Sequence, residues 1–122
     1  MTNPNYIRGR RFEYRVKEAL EKDGWIVFRC AGSKPVDLIA FKMGPKSLFH
    51  VVDMDKNTPS VVVSIGNLIE VDTGVILVEC KARGARVPKD QKYALMELAA
   101  KCGAALMVAT SKKRKIIFTR LQ

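Results

Sequence analysis

Apolar positions recur along this chain with two periods, and the switches between them predict the elements. Across residues 6–23, Phe12, Val16, Ala19 and Leu20 fall at i, i+4, i+7 and i+8, the spacing of one buried helical face, and Gly24 supplies a stop. Residues 25–30 and 37–41 are apolar runs separated by the loop 31–35, and read as strands. The run 75–81, Val-Ile-Leu-Val-Glu-Cys-Lys, is apolar and β-branched enough for a strand covered on both faces. Asp90 reads as the N-cap of a second helix with a buried stripe of Leu95, Leu98, Ala99 and Cys102, ended by Gly103. Strands at 104–109 and 116–121 close the pattern around a cationic turn at 110–115. Helix, strands, helix, strands predicts an α/β single domain over residues 1–122, with a mixed central β-sheet flanked by helices. Residues 43–74 carry further strand patterns at 48–53, 61–65 and 68–71 between polar or Gly-containing turns, which predicts an elongated β-meander extending that sheet.

Composition adds one strong constraint. The 122 residues are 48% apolar and 28% charged, an ordinary globular balance, but 22 Lys and Arg against 12 Asp and Glu leave a net charge of +10. That excess favours a polyanionic partner, nucleic acid first and an anionic membrane surface second, over a merely basic soluble surface. No apolar run reaches the roughly 18 residues of a membrane span, and the first residues lack the apolar core of a secretory signal, so an intracellular location without membrane insertion is expected. Cys30, Cys80 and Cys102 have no metal-type spacing and read as reduced core residues. No repeat, Gly-rich phosphate loop or nucleophile elbow is present in the sequence.

The chemistry gathers at strand ends. Residues i and i+2 of a strand share a face, so Glu79 and Lys81 stand side by side where the run 75–81 ends. Asp37 opens the strand 37–41 after its loop. Two acids on neighbouring strands, one followed by a lysine two residues on, make a site for a hard cation such as Mg²⁺, which with Lys81 could activate water against a phosphodiester. Glu13 falls at the margin of the first helix's apolar stripe, where it could lean towards that site or remain a solvated surface acid. Gln91 shares the stripe of the second helix and needs a polar partner, for which the site end of the sheet is suitable. Asp90-Gln91-Lys92 is a second acid-x-Lys triplet but opens a helix, and the acids Asp53, Asp55, Glu70 and Asp72 have no lysine two residues on. His50 reads as a strand residue rather than a base.

Arg8-Gly9-Arg10-Arg11-Phe12-Glu13, then Arg29-Cys30-Ala31-Gly32-Ser33-Lys34-Pro35-Val36-Asp37, then Val78-Glu79-Cys80-Lys81 resemble the successive motifs of the archaeal Holliday junction resolvases, cellular and viral. These belong to the restriction-endonuclease-like PD-(D/E)XK nucleases, and the resemblance spans nearly the whole chain apart from the insertion at about 43–74. It implies a restriction-endonuclease-like fold, and an endonuclease that cuts four-way junction DNA as a homodimer, with paired symmetric nicks. It implies Glu13, Asp37 and Glu79 as ligands of Mg²⁺, for which Mn²⁺ would substitute, and Lys81 as the catalytic cation beside them. Arg29 carries over as an arginine near the scissile phosphate and Ser33 as a loop contact to DNA, with Lys34 beside it. Arg8, Arg10, Arg11, Arg15, Arg83, Arg86, Lys112, Lys113, Arg114 and Lys115 would supply sequence-independent phosphate contacts, and Gln91 is grouped with the DNA-binding set.

Two features depart from that family. Between Asp37 and Glu79 lie 41 residues, where little more than a hairpin is usual, and Tyr14 stands where an arginine normally follows the helix acid. Either Arg10, Arg11 or Arg15 has taken over that cation's work, or the contact is lost. The rival readings are a repair or replication nuclease with a different DNA substrate, and a basic nucleic-acid-binding module in which Glu79 and Lys81 merely neutralise each other.

Overall fold

The computed structural model describes residues 4–30, 32, 34–43, 47–49, 51–53, 60–61, 68–70, 74–82, 86–112 and 115–121. In chain order these form α1 (Pro4–Lys22), β1 (Ile26–Arg29), β2 (Leu38–Phe41), β3 (Ser47–Phe49), β4 (Val51–Asp53), β5 (Ser60–Val61), β6 (Leu68–Glu70), β7 (Val75–Lys81), α2 (Lys89–Cys102), β8 (Ala105–Lys112) and β9 (Lys115–Arg120). Among the described residues the main sheet runs β1-β2-β7-β8-β9-β4-β5. Its β7–β8 pair is parallel and its other neighbours are antiparallel. Parallel neighbours need a crossover, and α2 is that crossover.

Burial on both faces explains why β7 is apolar over residues 75–78. Ile76 and Val78 face α1 and join Phe12, Val16, Leu20, Leu38, Met107 and Phe118 in one core. Leu77 faces the other way and packs with Val36, Leu95, Ala99 and Leu106 under α2. A strand covered on both faces needs apolar side chains on both, and each fully buried Leu, Ile, Val or Phe contributes about 1.5–3 kcal/mol. The helix-flanked mixed sheet is the restriction-endonuclease-like arrangement expected from the sequence. No helix among the described residues is long and apolar enough to cross a membrane.

The helix ends refine the expected pattern. Gly24, at φ 95°, and Gly103, at φ 63°, occupy the left-handed region that ends α1 and α2. Asp90 is not the N-cap: Pro88 is, its carbonyl accepting the Lys92 N–H at 2.8 Å, so Asp90 lies inside the first turn. There its carboxylate still meets the positive end of the helix dipole. The buried stripe of α2 is Leu95 and Ala99, with Leu98 half-buried. Cys102, the last helical residue, is exposed, while Cys30 and Cys80 are half-buried, and all three are free thiols.

The described residues of the insertion are β-structured, but only β4 and β5 extend the main sheet, and the strands pair from the outside inwards rather than as a meander. β3 pairs with β6 from Ser47↔Glu70 to Phe49↔Leu68, and β4 pairs with β5 from Val52↔Val61 to Asp53↔Ser60. β4 joins β5 to the main sheet through β9, whereas β3 and β6 form a separate two-stranded sheet. Local turn signals mark where strands end, whereas the partner of each strand is set by long-range register.

Candidate active site

One row of aligned residues crosses the sheet through Arg29, Leu38, Val78 and Met107. In the next row outward the regular ladder between β2 and β7 gives way to side chains. Asp37, just before β2, donates its N–H to Glu79 Oε1 at 3.2 Å, and Cys80 donates its N–H to Asp37 Oδ2 at 2.7 Å. Each acid therefore holds a backbone amide of the other's strand. On the far side Cys30 donates its N–H to the Asp37 carbonyl at 3.0 Å, which ties the end of β1 into the same corner.

Asp37 and Glu79 are the buried charged side chains among the described residues, at 7% and 2% exposure. Glu79 lies on the α2 face, as Leu77 does, and Gln91 from the first turn of α2 donates its Nε2–H to Glu79 Oε2. The partner that Gln91 required is thus an acid of the site. Burial, followed by the hydrogen bond and charge of Asp37, pushes Glu79 up to about 8, while Lys81 pulls it down. Burial and the nearby Asp37, Glu13 and Glu79 carboxylates push the Cys80 thiol well above its ordinary value, with Arg29 opposing. At neutral pH this corner is a poor place for two bare carboxylates side by side.

Glu13 is half-buried on α1 and accepts from Arg29, at 2.9 Å from Nη2 and 3.3 Å from Nε. Among the described residues no group of three or more Asp, Glu, His or Cys side chains stands close enough to hold one metal ion. The structure thus brings Asp37, Glu79 and Gln91 together, places Lys81 half-buried two residues along the Glu79 face, and engages Glu13 through Arg29. Arg10, Arg11, Arg15, Lys34, Arg86 and Lys115 are exposed. Ser33, Arg83, Lys113, Arg114, His50, Asp55 and Asp72 lie outside the described residues, as do the side chains of Arg8, Asp53, Glu70 and Lys112.

Tyr14 has a role that the sequence pattern did not assign. Its hydroxyl accepts from Arg29 Nη1 at 3.2 Å and from Arg10 Nη2 at 3.5 Å. Both guanidinium groups lie over its ring, at 4.6 Å and 5.7 Å from the centroid. The i, i+4 spacing of Arg10 and Tyr14 was a signal for half of this cluster. The other half depends on β1 lying beside α1.

No protein-family model matches the chain. Over 45 residues, 37% of its length, it is 50% identical to the crossover junction endodeoxyribonuclease Hjc of Methanocaldococcus jannaschii. The matched stretch spans 34% of that protein.

Proposed function

We propose, from that partial likeness and the opposed acids at the sheet's end, that this chain is a structure-selective DNA endonuclease that resolves four-way junctions by divalent-metal-dependent phosphodiester hydrolysis. The observation that carries the reading is the Asp37–Glu79 pair, buried and reciprocally tied to the other strand's amide. Two facing carboxylates, one raised to about 8, are best ionised together when a cation lies between them. An all-oxygen donor set with one or two protein carboxylates suits Mg²⁺, and Mn²⁺ as its substitute. Bound there, the ion would supply an acidified water and neutralise charge on the attacked phosphate.

The chain's own groups do the rest. Gln91 holds the Glu79 carboxylate in its orientation, and the Asp37 and Cys80 amides fix the spacing of the two acids. Lys81, on the Glu79 face, orients the attacking water and stabilises the developing oxyanion charge. Glu13 serves the site through Arg29, whose guanidinium it fixes beside the acid corner. The exposed cations Arg10, Arg11, Arg15, Lys34, Arg86 and Lys115 bind phosphates irrespective of sequence. Paired symmetric nicks need two equivalent sites, so the working form is a two-fold homodimer on junction DNA inside the cell.

The test is incubation with a labelled immobile four-way junction, a matched duplex and a splayed arm, in Mg²⁺, Mn²⁺ and EDTA. Paired cuts confined to the junction and absent in EDTA are expected. Asp37→Ala, Glu79→Ala or Lys81→Ala should slow cutting by about 10²–10⁴-fold with junction binding retained. Tight binding without cuts in either metal would replace this reading with a basic binding module. Equal cutting of all three substrates would replace it with a broader nuclease.

A further inference from the structure

Two arginines from different elements converge on one exposed tyrosine. Arg10 approaches from one turn earlier on α1 and Arg29 from the end of β1, and they share the Tyr14 hydroxyl as acceptor and its ring as a platform. Like charges repel, so this convergence needs compensation. Glu13 provides part of it by accepting from Arg29 through Nε and Nη2, and the electron-rich ring of Tyr14 attracts both guanidinium groups. A guanidinium carries five N–H donors, and Arg29 directs three hydrogen bonds to Glu13 and Tyr14. The donors that remain on Arg29, beside the exposed guanidinium of Arg10, suit the planar, multidentate recognition of a phosphate. The Tyr14 hydroxyl is drawn down in pKa first by Arg10 and then by Arg29, as a phenol in a field of positive charge must be.

The position of the cluster narrows its ligand. Cys30, the residue after Arg29, is bonded to the Asp37 carbonyl, so the cluster lies beside the acid corner on the α1 side, while Gln91 engages Glu79 from the α2 side. We infer that Tyr14 is a positioning residue, holding Arg10 and Arg29 as a seat for a DNA phosphate next along the strand from the one attacked. The inference rests on the endonuclease reading for its choice of ligand. It also accounts for tyrosine at the position where the resembled family has arginine: the ring gathers two arginines in place of the one it lacks.

The experiment is junction binding in EDTA, where nothing is cut, over about 50–200 mM salt. Tyr14→Ala should weaken binding several-fold and lower the slope of log affinity against log salt by about one, the signature of one lost phosphate contact. Tyr14→Phe, which keeps the platform and loses the hydroxyl, should fall between. In an Arg10→Ala/Arg29→Gln background, Tyr14→Ala should cost nothing further. A tyrosine with a purely structural role would lower the melting temperature and leave the salt slope alone. Wild-type affinity and slope for Tyr14→Ala, or its full effect persisting in the double background, would overturn the inference. If the slope responds but the wild type cuts nothing with Mg²⁺ or Mn²⁺, the seat stands and the endonuclease reading falls. If junctions are cut and the slope does not respond, the reverse holds.

Discussion

At the scale of single residues, Glu79 controls how the fold answers to pH. Its folded-state pKa of about 8 lies above the ordinary 4.5, so between those values the folded chain holds a proton that the unfolded chain has released. Stability contributed by this group is therefore full below about pH 4.5, declines as pH rises, and is lost above about 8. Thermal melts of metal-free protein should show a melting temperature falling from pH 5 to pH 8, and Glu79→Gln should flatten that trend. Under the proposed function Mg²⁺ competes for the same oxygens, so calorimetry at pH 7 in buffers of different ionisation enthalpy should detect proton release as the ion binds. Gln91→Ala leaves Glu79 without its side-chain donor, and a loss of about 1–2 kcal/mol is expected in denaturant titration. Asp37 and Glu79 were legible in the sequence because each sits where an apolar run meets polar residues. The engagement of Glu13 by Arg29 was not, since helical periodicity assigns a residue to a face and leaves its partner sixteen residues away unnamed.

At the scale of elements, burial separates positions that matter from positions that only look apolar. Leu106, fully buried under α2, should cost about 2–5 kcal/mol when changed to Ala, whereas Met43, at 95% exposure, should change stability by no more than about 0.5 kcal/mol. Equilibrium unfolding of the two variants checks both. Helix α1 was readable because four apolar residues on one stripe leave few alternatives, and β7 because its short β-branched apolar run at 75–78 follows a Gly-containing turn. The strands β3 to β6 were readable as β structure but not as a nested pairing, because turn residues fix where strands stop and not which strand returns to which. The stripe of α2 was overextended for a related reason: Cys102 has the right spacing, but the last turn of a helix need not lie over the sheet.

At the scale of the whole molecule, under the proposed function the net charge of +10 and the exposed arginines of α1 should make DNA affinity fall by about 10³-fold or more between 50 and 200 mM salt if six or more phosphates are engaged, which fluorescence anisotropy measures directly. The same architecture has a consequence for synthesis. The acid corner draws on α1, the turn before β2, the end of β7 and the first turn of α2, and β7 gains its parallel neighbour only after α2 has carried the chain back to begin β8. A chain still emerging from the ribosome has Asp37 and Glu79 in hand before it has β8, the parallel neighbour of β7. Chains halted before residue 105 should not fold cooperatively and, under the proposed function, should not cut DNA, so an unfinished copy would leave the DNA intact.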